Sequence, residues 1–141
     1  MYSKILVALD HTKADETLLP HITTLAKLTG AELLLIHVAD GWAAQWQDRL
    51  NLADSEEMRV DQAYLDEVGA RLRADNLAVK TRLAKGDPPR EIMRFAREEG
   101  CDLVAMTTHG HKFVADIFLG STIEKVRHEI DIPLLLVRAA K

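Results

Sequence analysis

The sequence predicts an α/β protein with a single domain spanning residues 1–141. The expected architecture is a doubly wound, five-stranded parallel sheet in the order 3-2-1-4-5, with helices on both faces. Two observations support it. Short runs rich in Leu, Ile and Val recur along the chain, and amphipathic helical patterns alternate with them. Four of the five runs are continuously apolar, which is typical of parallel strands covered on both faces.

The predicted strands are the five apolar runs. In chain order they are Ile5–Leu9, Leu33–Val38, Val79–Leu83, Leu103–Met106 and Pro133–Val137. The third run, VKTRL, alternates apolar and polar residues, whereas the other four are continuous. Alternation indicates a strand with one exposed face, so we expect the third strand at an edge of the sheet.

Four helices are predicted from apolar residues at helical spacing. Gly30 and Gly100 are expected to end the first and third helices, and the fourth should end before Pro133. The second should open at Ser55, which precedes two glutamates. The apolar stripes are Leu18, Ile22, Leu25 and Ala26; Tyr64, Leu65, Val68 and Leu72; Ile92, Phe95 and Ala96; and Ile123, Val126 and Ile130.

A long connection is predicted between Asp40 and Ser55, and it holds both tryptophans. Trp42 and Trp46 are four residues apart and would share one face of a short helix. Two interpretations are open: the pair covers one end of the core, or it forms a surface for a partner.

Composition and charge exclude several classes of function. The formal net charge is −4 and the isoelectric point about 5.8, which argues against a nucleic-acid-binding protein. No apolar run is long enough to cross a bilayer, so no membrane insertion is expected. The lone cysteine, Cys101, has no partner for an intramolecular disulfide, which favours a reducing, cytoplasmic location.

The candidate ligand site follows from the predicted topology. Doubly wound sheets bind ligands beyond the carboxyl ends of their strands, where the strand order reverses. The residues that follow the first, second and fourth predicted strands should therefore meet in one crevice. They are Asp10, the stretch His37–Asp40, and Thr107 with the residues after it.

One loop expected in this crevice has the sequence THGHKFVADIFLGST, residues 108–122. Gly110 allows a close approach of the backbone to a ligand. Gly120 comes just before the predicted fourth helix, with Ser121 and Thr122 in the cap and first turn. A helix N-terminus with hydroxyl groups is a favourable phosphate site. The spacing alone leaves a second interpretation open, in which Gly120 and Ser121 only cap the helix.

Over nearly its whole length the chain resembles the universal stress protein family. The segments that carry the resemblance are KILVALD, GAELLLIHV, KGDPPREIMRFAREEGCDLVAMTTHG and LGSTIEKVRHEIDIPLLLV. The ATP-binding branch of that family is marked by the pattern Gly-x2-Gly-x9-Gly-Ser/Thr. Gly110, Gly120 and Ser121 fit this pattern, whereas Thr107 stands where the pattern has its first glycine.

The resemblance implies a site for ATP or another adenine nucleotide. Asp10 or Asp116 could hold Mg²⁺ there through the nucleotide, because magnesium usually needs only one or two protein carboxylates. The resemblance places Asp10 near the adenine or ribose, the backbone of Val38 at the adenine edge, and Thr107 beside the ribose. It also implies a homodimer through the C-terminal strand Ile132–Val137, which an apolar edge strand would favour independently. The predicted nucleotide-binding residues are Ala8, Leu9, Asp10, Val38, Met106, Thr107, His109, Gly110, His111, Gly120, Ser121 and Thr122.

Other chemistries find less support in the sequence. His109 and His111 flank Gly110, but a zinc site needs a third protein ligand, for which His37 and Asp10 are the only candidates. We therefore expect no metal site made by protein groups alone. Neither a Walker phosphate loop nor a nucleophile elbow is present, so efficient catalysis is not expected. The predicted function is a nucleotide-responsive stress regulator; the alternatives are a slow ATPase and a nucleotide-free dimeric interaction protein.

Overall fold

The computed structural model describes residues 1–40, 47–108 and 115–139. Within those ranges the strands are β1 (Lys4–Ala8), β2 (Glu32–Asp40), β3 (Val79–Gly86), β4 (Leu103–Thr108) and β5 (Leu134–Arg138). The helices between them are α1 (Asp15–Thr29), α2 (Gln47–Ala74), α3 (Pro88–Glu98) and α4 (Ala115–Glu129). The strands form one parallel sheet in the order β3-β2-β1-β4-β5, which confirms the predicted fold class.

The two faces of the sheet bury different side chains, because successive strand residues point to opposite sides. On one face, Ile5 and Val7 of β1 pack with the apolar stripes of α1 and α2. On the other, Leu6 and Ala8 pack with α3 and α4. Both faces of β1 and β4 are therefore covered, which explains their continuous apolar sequences.

The edge strands are β3 and β5, and β3 was predicted at an edge from its alternating sequence. Among the predicted helix ends, Gly30 lies directly after α1 with φ 77°, a left-handed conformation that favours glycine. Its N–H donates to the carbonyl oxygen of Ala26 and completes the cap. None of the helices in the described ranges has the length and hydropathy needed to cross a membrane.

Two predicted helix starts are wrong. α2 begins at Gln47, so the predicted connection from Asp40 to Ser55 is partly helical; Trp42 and Trp46 lie outside the described residues. α4 begins at Ala115, so Gly120 and Ser121 lie inside the helix and do not cap it. Serine costs only a few tenths of a kcal/mol in a helix interior and glycine about 1 kcal/mol, so neither must end a helix.

The chain connections place the reversal of strand order between β1 and β4. From β1 the chain proceeds through α1 to β2 on one side of the sheet, and β4 leads through α4 to β5 on the other side. The chain therefore leaves the carboxyl ends of β1 and β4 toward helices on opposite faces of the sheet. This is the position at which doubly wound sheets form a ligand crevice.

Candidate functional site

Asp10 and Thr107 meet at the reversal point. Asp10 lies two residues after the end of β1, directly after Leu9, and Thr107 is the penultimate residue of β4. The Thr107 hydroxyl donates to Asp10 Oδ2 across 3.4 Å, a long hydrogen bond from a buried side chain. The two residues that the sequence selected from different strand ends therefore lie in contact.

The end of β2 is joined to the end of β1 by two hydrogen bonds. The Leu9 N–H donates to the carbonyl oxygen of Ile36 at 2.8 Å, and His37 Nδ1 donates to the carbonyl oxygen of Leu9, also at 2.8 Å. Val38 is half-buried and packs against the layer of α3 and α4, where Ala8 and Met106 also lie. The predicted apolar residues of the site thus belong to the core beneath the crevice.

A buried carboxylate, Asp15, holds the loop after β1. It is the first residue of α1 and only 1% exposed. Its Oδ1 accepts the Asp10 N–H at 2.9 Å, and its Oδ2 accepts the His11 N–H at 2.9 Å and the Tyr64 hydroxyl at 2.6 Å. Asp15 therefore fixes the backbone that carries Asp10.

A second buried carboxylate, Asp61 of α2, contacts two histidines. Its Oδ1 accepts from His11 Nδ1 at 2.6 Å, and its Oδ2 lies 3.4 Å from His37 Nε2. His11 belongs to the loop after β1 and His37 to β2, so one side chain of α2 connects both strand ends. Within the described residues, this Oδ2 atom has no hydrogen-bond partner although it is buried.

His11 has an unusual backbone that its neighbours hold in place. Its φ is 59°, in the left-handed region that residues other than glycine seldom adopt. The imidazole stacks on the Tyr64 ring, with centroids 4.0 Å apart and planes at 14°. Burial and the hydrogen bond to Asp15 raise the pKa of Tyr64 well above its ordinary value, so the phenol stays a donor.

Sequence reasoning missed four of these residues, namely His11, Asp15, Asp61 and Tyr64. The contacts of Asp61 with His11 and of Tyr64 with Asp15 join residues 50 and 49 positions apart, and α2 was expected to supply only core packing. The one local signal was Asp15, which follows Asp10 by five residues and could have been recognised as a carboxylate that binds loop N–H groups.

The remaining predicted residues lie elsewhere or outside the described ranges. His109, Gly110 and His111 are outside them, and the predicted phosphate contacts of these residues stay predictions. Gly120, Ser121 and Thr122 lie in the interior of α4, at the sixth to eighth positions of that helix. In the ranges that the structure describes, no group of three or more His, Cys, Asp or Glu side chains could hold a metal ion.

The fold and site together define a doubly wound α/β protein with a polar crevice between β1 and β4, and the comparisons with known proteins identify its family. The model of the universal stress protein family matches residues 1–138. The chain belongs to the universal stress protein family.

Curated relatives match over almost the full length. Universal stress protein MJ0577 of Methanocaldococcus jannaschii is 26% identical, with 98% of this chain and 96% of its own length covered. A universal stress protein of Methanothermobacter thermautotrophicus is 32% identical, with 98% and 97% covered.

Solved structures match in the same way. The structure of MJ0577 has a TM-score of 0.86 and 27% identity, covering 100% of this chain and 99% of that one. A universal stress protein in complex with cAMP has a TM-score of 0.73 at 19% identity, covering 99% and 98%. One from Archaeoglobus fulgidus in complex with dAMP has a TM-score of 0.67 at 19% identity, covering 96% and 98%. At this identity the two complexes show that the fold is shared.

Proposed function

We propose that the protein is a cytoplasmic, ATP-binding universal stress protein that acts as a nucleotide-responsive regulator without efficient turnover. The observation that carries this proposal is the contact of Asp10 with Thr107 at the reversal of strand order. Two polar side chains at that point provide hydrogen-bonding groups for a ligand where this class of sheet binds one.

The adenosine part of the nucleotide fits the described half of the crevice. Asp10 is a carboxylate, which accepts hydrogen bonds from ribose hydroxyls. Val38 lies at the neighbouring strand end, where its backbone groups can read the edge of an adenine ring, above the apolar Ala8 and Met106. The cAMP and dAMP complexes of the structural neighbours support an adenine nucleotide, since both ligands contain adenosine or deoxyadenosine.

The phosphates belong on the other side of the crevice. Asp10, Asp15 and Asp61 form an acidic region around the end of β1, and their charges disfavour phosphate there. We therefore assign the phosphates to the segment from His109 to Thr122, where the sequence pattern places Gly110, Gly120 and Ser121. Mg²⁺ would then be held mainly by phosphate oxygens, because it usually takes only one or two protein carboxylates.

Two alternatives each have an observation in their favour. A slow ATPase is favoured by His11, whose Nδ1 is oriented by Asp61 as the histidine of a general-base pair is. This alternative requires the phosphates to extend toward the end of β1 instead. A nucleotide-free dimeric interaction protein is favoured by Thr107, which fills the position of the first motif glycine with a buried side chain. In neither case would the loop after β4 signal the presence of bound nucleotide to a partner.

The experiment that separates the three is the nucleotide content of the purified protein after denaturation. Retained ATP supports the regulator, in which the bound nucleotide biases the loop after β4 and a partner reads the change. Retained ADP supports turnover, and absence of any nucleotide, with no binding of added ATP, supports the interaction protein. An Asp10→Ala variant should lose the nucleotide, whereas Asp66→Ala, on the exposed surface of α2, should retain it.

A further inference from the structure

The hydrogen-bond partner of His37 determines which of its ring nitrogens carries hydrogen. Nδ1 lies 2.8 Å from the carbonyl oxygen of Leu9. A carbonyl oxygen only accepts hydrogen bonds, so Nδ1 must be the donor. In a neutral imidazole only one nitrogen carries hydrogen, and Nε2 would then present a lone pair.

That lone pair would face a carboxylate. His37 Nε2 is 3.4 Å from Asp61 Oδ2, and the two side chains are 13% and 7% exposed. No other group in the described part of the chain donates to this oxygen. Two acceptors that oppose each other in buried surroundings repel, and a buried carboxylate oxygen without a donor is costly. A hydrogen between the two atoms removes both penalties.

We propose that Asp61 is a positioning residue of the nucleotide crevice and that it holds His37 as an imidazolium, with hydrogen on both ring nitrogens. The hydrogen belongs on the imidazole because this group is a stronger base in water than a carboxylate. Asp61 then accepts from His37 through Oδ2 and from His11 through Oδ1. The positioning role rests on the proposed nucleotide-binding function, whereas the hydrogen assignment does not.

The position of Asp61 explains how it acts on the crevice. It joins α2 to the end of β2 through His37 and to the loop after β1 through His11. His11 lies in the loop between β1 and α1 and has a left-handed backbone, so it depends on such contacts to keep its conformation. Asp10 is its immediate neighbour in the chain, and a shift of His11 therefore moves the carboxylate that we assign to the ribose.

The charges around the pair give the direction of a pH effect. His11 contacts the pair directly, through Asp61 Oδ1 and with its ring edge-on to that of His37 at 6.1 Å between centroids. Asp15 and Tyr64 contact His11, and Asp15 also binds the Asp10 N–H, so these three groups form the next layer around the pair. β3 brings only the apolar Leu83 into register with His37. Loss of the proton removes one positive charge from the vicinity of these carboxylates. An anionic nucleotide should therefore bind more weakly as the pH is raised.

Asp61→Asn tests the assignment because an amide can make both contacts while His37 remains a neutral imidazole. The amide oxygen can accept from His11, and the amide nitrogen can donate to His37 Nε2. Nitrogen NMR spectra of the imidazoles, recorded without nucleotide, should show both nitrogens of His37 protonated in the unmodified protein and only Nδ1 in Asp61→Asn. Asp66→Asn, the same change on an exposed position of α2, should leave the His37 signals unchanged.

Binding of ATP is then measured by calorimetry over a range of pH. Asp61→Asn should retain neutral-pH affinity within about twofold and lose most of the pH dependence. Asp61→Ala should bind about tenfold more weakly, since it releases both histidines. The protonation of ATP itself cancels in the comparison of variants with the unmodified protein, and Asp66→Asn should follow the unmodified protein throughout.

An unprotonated Nε2 of His37 in the unmodified protein would refute the imidazolium assignment. His37 signals that shift on addition of a metal chelator would also refute it, because they would place a metal ion between Nε2 and Asp61 Oδ2. Identical pH profiles for the unmodified protein and Asp61→Asn would refute the positioning role. A protein that binds no nucleotide overturns the proposed function and the positioning role with it, but the NMR spectra still decide the hydrogen assignment.

Discussion

At the scale of single residues, two buried carboxylates organise the crevice in different ways. Asp15 accepts two backbone N–H groups and a phenol, so each of its oxygens has a donor. Asp61 accepts from the imidazoles of His11 and His37, and its Oδ2 depends on the protonation of His37. The first carboxylate therefore fixes the loop at any pH at which it is ionised, while the second responds to the state of a histidine.

The hydrogen bond from Tyr64 to Asp15 gives the first prediction. Tyr64→Phe keeps the stack on His11 but removes a donor from a buried carboxylate, and should lower the free energy of unfolding by about 1.5–3 kcal/mol. Tyr2→Phe is the matched control and should cost less than about 0.5 kcal/mol. Urea unfolding near neutral pH measures both, and equal stability of Tyr64→Phe and the unmodified protein would contradict the contact.

The raised pKa of Tyr64 adds a pH dependence with a defined sign. The folded phenol keeps its proton where an unfolded tyrosine, with an ordinary pKa of 10.0, loses it. The stabilisation is thus fully present below pH 10 and decreases as the pH rises above it. The difference in the free energy of unfolding between the unmodified protein and Tyr64→Phe should therefore decrease above pH 10. Burial raises the pKa of Cys101 to about 11, but this thiol is common to both proteins and cancels.

Thr107 gives a second prediction at this scale. Its hydroxyl is the contact that orients Asp10 from β4. Thr107→Val preserves the shape of the buried side chain and removes the hydroxyl, so ATP affinity should fall about fivefold, roughly 1 kcal/mol. Thr107→Ser retains the hydroxyl and should bind within about twofold of the unmodified protein. Calorimetric titration compares them, and equal affinities for both variants would show that the hydroxyl does not contribute.

At the scale of elements, strands were predicted better than helix starts. Five apolar runs gave all five strands within three residues at every end, because burial on both faces imposes an apolar sequence. The starts of α2 and α4 depend on polar residues such as Ser55 and Ser121, which a helix can contain as easily as begin with. The histidine and carboxylate contacts could not be predicted, because they depend on the exact rotation of α2 against β1.

Because Gly120 lies inside α4, a substitution there can separate an effect on stability from an effect on ATP binding. In a helix interior, Gly120→Ala should raise or maintain stability, by up to about 1 kcal/mol, because alanine is the better helix former. If the phosphates approach the backbone here, the added methyl group should weaken ATP binding at least tenfold, or roughly 1.4 kcal/mol. Thermal unfolding and calorimetry are measured on the same preparation. Unchanged affinity in the folded variant would remove Gly120 from the site.

At the scale of the whole molecule, the two edges of the sheet differ in what they offer to another chain. β3 carries Lys80, Arg82 and Lys85, and charges of this kind discourage pairing with further strands. β5 has the sequence LLLVR, and its Leu136 is 37% exposed. An apolar edge of this kind favours pairing, so we expect a homodimer through β5.

The hydrogen bonds at the two ends of β5 show which of its backbone groups are available. The carbonyl oxygen of Pro133 accepts from Val104, and the N–H of Ala139 donates to Thr108, so both residues face β4. Because backbone direction alternates along a strand, Leu135 and Val137 also face β4. The N–H and C=O groups of Leu134, Leu136 and Arg138 must then point away from the sheet, toward a second chain.

Leu136→Pro is therefore the variant that tests the dimer with least damage to the fold. It removes an outward N–H and leaves the hydrogen bonds to β4 in place, which an edge strand tolerates. Leu136→Val keeps the N–H and the apolar surface and serves as the control. Sedimentation at tens of micromolar should give twice the chain mass of 15.8 kDa for the unmodified protein and the control, and the monomer mass for Leu136→Pro. A monomeric unmodified protein, or a Leu136→Pro variant that still pairs, would exclude this edge as the dimer interface.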